Sequence, residues 1–151
     1  MKKFSLYIFL LLIFCTSSKA LPKCEGDDYK QWTNCSGSYT NDSGRKYTGE
    51  FGDTPGIRHG QGVSILEGTK FEGKFIHDKA VEGTLTYPNG NIYIGTFNKL
   101  GNFHGQGTFI FPDGSKFVGE FKNHLMDGLG VFTKSNGEII KGIWKDGKLQ
   151  Q

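Results

Sequence analysis

One short phrase returns five times along this chain: a ring or branched aliphatic, any residue, glycine, any residue, a ring. It reads Tyr47-Thr48-Gly49-Glu50-Phe51, Phe71-Glu72-Gly73-Lys74-Phe75, Tyr93-Ile94-Gly95-Thr96-Phe97, Phe117-Val118-Gly119-Glu120-Phe121 and Ile140-Lys141-Gly142-Ile143-Trp144. The central glycines stand 24, 22, 24 and 23 residues apart. A period of this size means a stack of like units, none of which buries its apolar side without its neighbours. Such arrays serve more often as binding surfaces than as catalysts.

The patterned positions fall at i, i+2 and i+4, which share one face of a strand and scatter around a helix. Glycine weakens a strand unless another group approaches its bare backbone closely. The expected visitor is a ring from the adjacent strand or the next unit. The intervening residues point the other way and are mixed: Thr48, Glu50, Glu72 and Lys74 are polar, whereas Ile94, Val118 and Ile143 are not. Ser43-Gly44, Glu67-Gly68, Asn89-Gly90, Asp113-Gly114 and Asn136-Gly137 precede the five phrases. Asn-Gly and Asp-Gly favour type I′ hairpin turns, because both central residues need positive φ. Short strands over 63–66, 84–87, 108–111 and 131–134 lead into the turns, so each unit is one β-hairpin. Loops of roughly six to nine residues are expected between units, within the usual range of such connections.

A Gly-x-Gly opens the first strand of several units, at Gly60-Gln61-Gly62, Gly105-Gln106-Gly107 and Gly128-Leu129-Gly130. With the turn glycine and the ring-x-Gly-x-ring phrase in constant order, the sequence resembles the MORN repeat across residues 35–147. The resemblance implies an all-β fold: an elongated single-layer antiparallel sheet of about five stacked hairpins. It also implies a scaffold for protein association, phospholipid contact having been proposed for the family as well. Two units depart from the pattern. Val81 stands where the first glycine of Gly-x-Gly belongs, and Ile140 replaces a leading ring, as suits a terminal unit with one neighbour.

Residues 1–20 read as a signal peptide: Lys2-Lys3, an apolar run from Leu6 to Cys15, and Ser18-Lys19-Ala20 as a small-x-small cleavage site. The run is too short for a stable bilayer span. Bulky Phe14 before Cys15 argues against lipidation of that cysteine. The leader holds three of the 18 basic residues and no acid, which leaves 15 bases against 15 acids. A balanced chain without clustered Lys and Arg is a poor nucleic-acid binder. Cleavage also leaves two cysteines, Cys24 and Cys35, an even count that points to a disulfide in an exported chain. Cys35 aligns with Gly105 and so opens the first strand. A bridge from it would tie residues 21–34 over the exposed first edge as a cap, contributing ~3 kcal/mol in the chain-entropy model. The array then spans 35–147 and a C-terminal tail 148–151.

Candidate chemistry is thin. His59 and His104 occupy matching places two repeats apart, roughly 19 Å at four strand spacings, too far to share one metal ion. His77 and His124 read as solvated loop residues. The Gly-x-Gly pairs lack the strand–loop–helix setting and Lys-Ser/Thr of a phosphate loop. Glu50, Glu72 and Glu120 recur on the solvated face, partly countered by Lys74 and Lys122, where nothing raises a carboxyl for acid catalysis. No enzyme activity, metal or cofactor is expected. Tyr47, Phe51, Phe71, Phe75, Tyr93, Phe97, Phe117, Phe121 and Trp144 form a ring ladder beside Gly49, Gly73, Gly95, Gly119 and Gly142. It is either core or an open groove, since a single sheet has no second layer. The expectation is an exported, periplasmic or extracellular module that binds a protein, with self-association possible. The alternative is peripheral attachment to phospholipid head groups.

Overall fold

The computed structural model describes residues 20–150, so the leader expected at 1–20 falls, but for its last residue, outside the described residues. Eleven strands form one antiparallel sheet in which every strand pairs with its predecessor and none crosses over. The hairpins are β1 (Cys35–Thr40) with β2 (Lys46–Phe51), β3 (Arg58–Leu66) with β4 (Thr69–Ile76), and β5 (Lys79–Thr86) with β6 (Ile92–Phe97). Then come β7 (Phe103–Ile110) with β8 (Lys116–Lys122), and β9 (Leu125–Thr133) with β10 (Ile139–Lys145). The all-β, single-layer architecture of five hairpins is as the sequence indicates. The tail expected at 148–151 instead supplies β11 (Lys148–Leu149), which pairs with Trp144 and Lys145 of β10.

Register is fixed by a row of glycines that crosses the sheet. Gly37 faces Gly49, Gly49 faces Gly62, and the pairing continues through Gly73, Gly83, Gly95, Gly107, Gly119 and Gly130 to Gly142. Slipping any strand by one residue would carry its rings to the opposite face. The row therefore holds all the rings on one side. Beyond it, β2, β4, β6 and β8 each meet the following strand through a register shift, which bends and twists the ladder there.

Four of the five hairpin turns differ from the expectation, and Glu67-Gly68, with both residues at positive φ, meets it. In Tyr87-Pro88-Asn89-Gly90 the Gly90 N–H donates to the Tyr87 carbonyl at 3.0 Å, and the Tyr87 N–H to the Asn91 carbonyl at 2.9 Å. Only Gly90 has positive φ, at 86°. This is a type I turn closed by a glycine in the left-handed region: Pro88 presets the first central φ, and Asn89 Oδ1 accepts the Asn91 N–H at 3.1 Å. The turns at Gly44, Gly114 and Gly137 repeat its backbone hydrogen bonds. Two positive φ values in a row occur at Glu67-Gly68, His77-Asp78, Asn123-His124 and Asp146-Gly147. Residues 77–78 and 123–124 are thus whole inter-unit connections, in place of loops of six to nine residues. The strands run back through Gly-x-Gly and shorten the gap, while 52–57 and 98–102 remain longer.

The first edge is covered. Cys24 and Cys35 are disulfide-bonded, the Cys24 N–H donates to Ser36 O at 2.9 Å, and the Ser36 N–H donates to Pro22 O at 2.8 Å. A 3₁₀ turn over Tyr29–Gln31 brings Tyr29 onto Tyr39, stacked at 3.9 Å. Trp32, its indole N–H on Gly26 O at 3.1 Å, sits over Gly37.

A methyl group tests the glycine row. A Cβ on Gly119 would lie 2.5 Å from Leu129 O, 2.6 Å from Gly130 Cα and 2.8 Å from Phe117 Cζ, two of them backbone atoms that cannot swing away. A Cβ on Gly137 meets nothing, leaving only the strain of its φ of 87°. Gly119→Ala should therefore cost about 3 kcal/mol or more and Gly137→Ala about 1 kcal/mol, measured as urea-unfolding midpoints. Equal losses would show that the row tolerates side chains.

Candidate functional site: the ring ladder and its hollow

The rings meet edge to face in an unbroken zigzag. Tyr47 touches Phe51 and Phe75 at 5.5 and 5.4 Å between centroids, and Phe71 touches Phe75 and Phe97 at 5.0 and 5.5 Å. Tyr93 touches Phe97 and Phe121, both at 5.2 Å, and Phe117 touches Phe121 and Trp144 at 5.3 and 5.2 Å. Each leading ring is thus gripped by the trailing ring of its own unit and that of the next, in the geometry aromatic quadrupoles favour.

The visitor over each central glycine is the leading ring of the same phrase, two residues back, and that ring reaches the neighbouring strand as well. Tyr47 covers Gly49 and Gly62, Phe71 covers Gly73 and Gly83, Tyr93 covers Gly95 and Gly107, and Phe117 covers Gly119 and Gly130. At the last unit, where Ile140 replaces the ring, Leu149 covers Gly142 with its Cδ1 at 2.5 Å from the Cβ position. Tyr47 and Tyr93 keep their hydroxyls satisfied by donating to the Glu50 and Thr96 carbonyls, each at 2.9 Å. Burial pushes the Tyr93 phenol up to about 12 and raises Tyr47 as well, since a phenolate there would be stripped of water. Tyr47, Phe51, Phe71, Phe75, Tyr93, Phe117 and Phe121 are buried, so most of the ladder is core. Phe97 and Trp144 are half-buried.

Phe97 is half-open because of what faces its neighbour. Each trailing ring pairs in register with one residue of the next strand: Phe51 with Arg58, Phe75 with Ala80, Phe97 with Phe103, and Phe121 with Met126. Phe103 fills its slot by stacking on Tyr93 at 3.8 Å. The Arg58 guanidinium covers Phe75 at 4.8 Å and binds Asp78 Oδ1 at 2.9 Å. Ala80 fills nothing. A hollow of about 310 Å³ opens there, walled by Phe71, Phe75, Ala80, Leu85 and Phe97, with Leu100 at its lip and Arg45, Arg58, Asp78, Lys79 and Lys99 around it.

The hollow has a local cause. Gly60, Gly105 and Gly128 take φ of 89°, 74° and 125°. Val81 stands in their place, and a β-branched side chain disfavours that region. β5 accordingly spans three residue steps from Gly83 to Ala80, where β3, β7 and β9 span four from Gly62 to Arg58, Gly107 to Phe103 and Gly130 to Met126. Two core clusters meet at this junction, and Leu85 and Phe97 pack against both.

Other candidates resolve into local roles. Among the described residues no group of three or more His, Cys, Asp or Glu is placed to hold a metal. His59 and His77 face each other edge to face at 5.5 Å, and His124 packs on Phe103 at 4.6 Å while remaining exposed. Glu50 Oε2 accepts the Gln61 N–H at 2.9 Å and its carboxylate occupies the space above Gly60; Glu120 lies likewise over Gly128. Glu72 pairs with Lys70 at 2.6 Å rather than with Lys74. Sequence reasoning missed Arg58, Asp78, Ala80, Lys79, Lys99 and Leu100. The available signal was the short 22-residue spacing around Val81.

The sequence profile of the MORN repeat matches residues 71–92, 93–116 and 117–139. Residues 71–139 of the chain are three consecutive MORN repeats. The same glycine row and ring zigzag extend the matched MORN segments outward to Gly37 and Trp144. No curated protein matches the chain. MORN repeats act as binding and scaffolding modules, through protein or lipid association.

Removing rings should separate core from rim. Phe117→Ala, which empties a fully enclosed site, should cost ~3–5 kcal/mol. Phe97→Ala should cost about half as much, because one side of that ring already opens on the hollow. Denaturant unfolding of the two variants measures this, and a greater loss at Phe97 would contradict the assignment.

Proposed function

We propose that this chain is a non-catalytic binding module, exported to the periplasm or the cell exterior, that holds a protein partner on its hairpin array. The observation that carries the reading is the hollow between the second and third hairpins, where the ladder leaves apolar side chains beside cations. Concave, largely apolar sites with a few polar groups at the margin are where ligands bind. The reverse face adds exposed Ile94, Val118, Leu129 and Ile143, and apolar patches on a soluble surface mark partners. A non-catalytic role is supported by the fate of the titratable groups: Glu50 and Glu120 line the bulges, and Arg58 and Asp78 hold each other.

Export is supported by the leader pattern at 1–20 and by the Cys24–Cys35 bridge, because disulfides persist in oxidising compartments. A protein partner is favoured over lipid or nucleic acid because the 15 bases beyond the leader are balanced by 15 acids, with no basic run longer than two residues.

Sedimentation with vesicles decides between the readings. The native protein, identified by an intact mass lacking residues 1–20 and the two thiol hydrogens, should stay in the supernatant with neutral and with phosphatidylserine-bearing vesicles, at low and high salt. Tight pelleting with the anionic vesicles, released by salt, would replace the protein partner with lipid head groups. A native mass that retains residues 1–20 would remove export.

A further inference from the structure

We infer that the hollow at Ala80 takes up one large apolar side chain that is flanked on both sides by carboxylates in a partner polypeptide. The inference rests on the binding-module reading and adds the chemistry of the occupant. The first observation is shape. The slot beside a trailing ring is filled by Arg58, Phe103 and Met126 elsewhere and is left empty by Ala80. A cavity of about 150 Å³ lined by apolar groups binds benzene, and this hollow holds about 310 Å³. One aromatic or branched side chain therefore fits where the ladder's own ring is missing.

The second observation is charge. Four cations, Arg45, Arg58, Lys79 and Lys99, surround the hollow against a single carboxylate, Asp78. That carboxylate is already engaged: Arg58 Nε lies 2.9 Å from Asp78 Oδ1, and Arg58 Nη2 donates to the Asp78 carbonyl at 2.8 Å. Lys79 and Lys99 are exposed and stand in no ion pair among the described residues. The cations outside any ion pair among the described residues come from three elements, and of these Arg45 donates through Nη1 to Ser64 Oγ at 3.4 Å. Arg45 belongs to the β1–β2 turn, Lys79 to the start of β5, and Lys99 to the β6–β7 turn. Positive charge on several sides of an apolar hole matches carboxylates on either side of an apolar group better than one at the end of a tail.

The third observation is the broken repeat. Local rules tend to fail at functional sites, and the one internal unit whose Gly-x-Gly loses its first glycine shapes this hollow. Leu100, 84% exposed, is held at the lip in a turn whose Leu100 N–H donates to Asn98 Oδ1 at 2.9 Å. It extends the apolar wall outward over an arriving side chain.

The test uses three fluorescein-labelled peptides, Asp-Glu-Phe-Asp-Glu, Asp-Glu-Ala-Asp-Glu and Lys-Lys-Phe-Lys-Lys, with the oxidised full-length mature chain. Anisotropy should show saturable binding of the first, at least tenfold tighter than the other two and weakened by salt. Ala80→Phe, which copies the ring of the next unit, should abolish binding while keeping the thermal midpoint. Because that variant can fail to fold, Lys79→Glu with Lys99→Glu, both exposed, provides a second probe and should weaken binding at least tenfold. No saturable binding at millimolar peptide, equal binding of the alanine or lysine peptide, or undiminished binding by folded Ala80→Phe or by the charge-reversed chain would overturn the proposal. Failure of the peptides would leave the broader protein-binding reading standing. That reading falls only if the chain pellets with anionic vesicles.

Discussion

Because glycine carries no Cβ, the leading ring of each unit lies against the backbone of two strands at once, and this contact organises the molecule. The ring of Tyr93 sits over Gly95 and Gly107 and is wholly buried, although the sheet has no second layer to bury it. Two trailing rings, Phe97 and Phe121, close on it from either side at 5.2 Å. One ring thereby joins its own hairpin to the next. Repeating the arrangement makes stability a nearest-neighbour property, and each end must supply a substitute for the missing neighbour. The first end uses Trp32 and the bridged Cys24 over Gly37, and the last uses Leu149 over Gly142.

The same contact explains how far the sequence could be read. Ring, glycine and ring at alternate positions leave a strand as the only economical reading, and the near-constant spacing sets the number of hairpins. The pattern left Tyr47 and Phe117 as either core or the floor of an open groove, and their burial comes from contacts between units that it does not encode. The turns were less legible. Asn89-Gly90 suits a two-residue type I′ turn and equally the second half of a type I turn closed by a left-handed glycine. The choice depends on strand pairing on both sides, which a dipeptide does not encode. His77-Asp78 and Asn123-His124 form tight turns without glycine, each holding two non-glycine residues at positive φ, and sequence alone gives little sign of it.

The hollow was visible only as an irregularity. Val81 and the 22-residue spacing announced that one unit differs, but the consequence needed the register. Losing one residue from the bulge of β5 places Ala80 opposite Phe75, and two core clusters then meet across an open space. Arg58 illustrates the same limit. As a residue before Gly-x-Gly it reads as surface, yet its side chain is nearly covered and stacks on Phe75 while gripping Asp78, twenty positions away. The departure from the repeat and the candidate site thus coincide at Ala80.

Ring currents offer the most direct view of the central contact. A proton held above an aromatic face is shielded, so the Hα resonances of Gly62, Gly83, Gly107 and Gly130 should move well upfield of their unfolded positions in a carbon–proton correlation spectrum. Those of Gly44, Gly114 and Gly137, whose Cβ positions meet nothing within 4 Å, should not. Upfield shifts confined to the first set are the predicted result. Unshifted Hα protons at Gly83 and Gly107, in the middle of the array, would contradict the claim that rings seated on paired glycines hold the hairpins together.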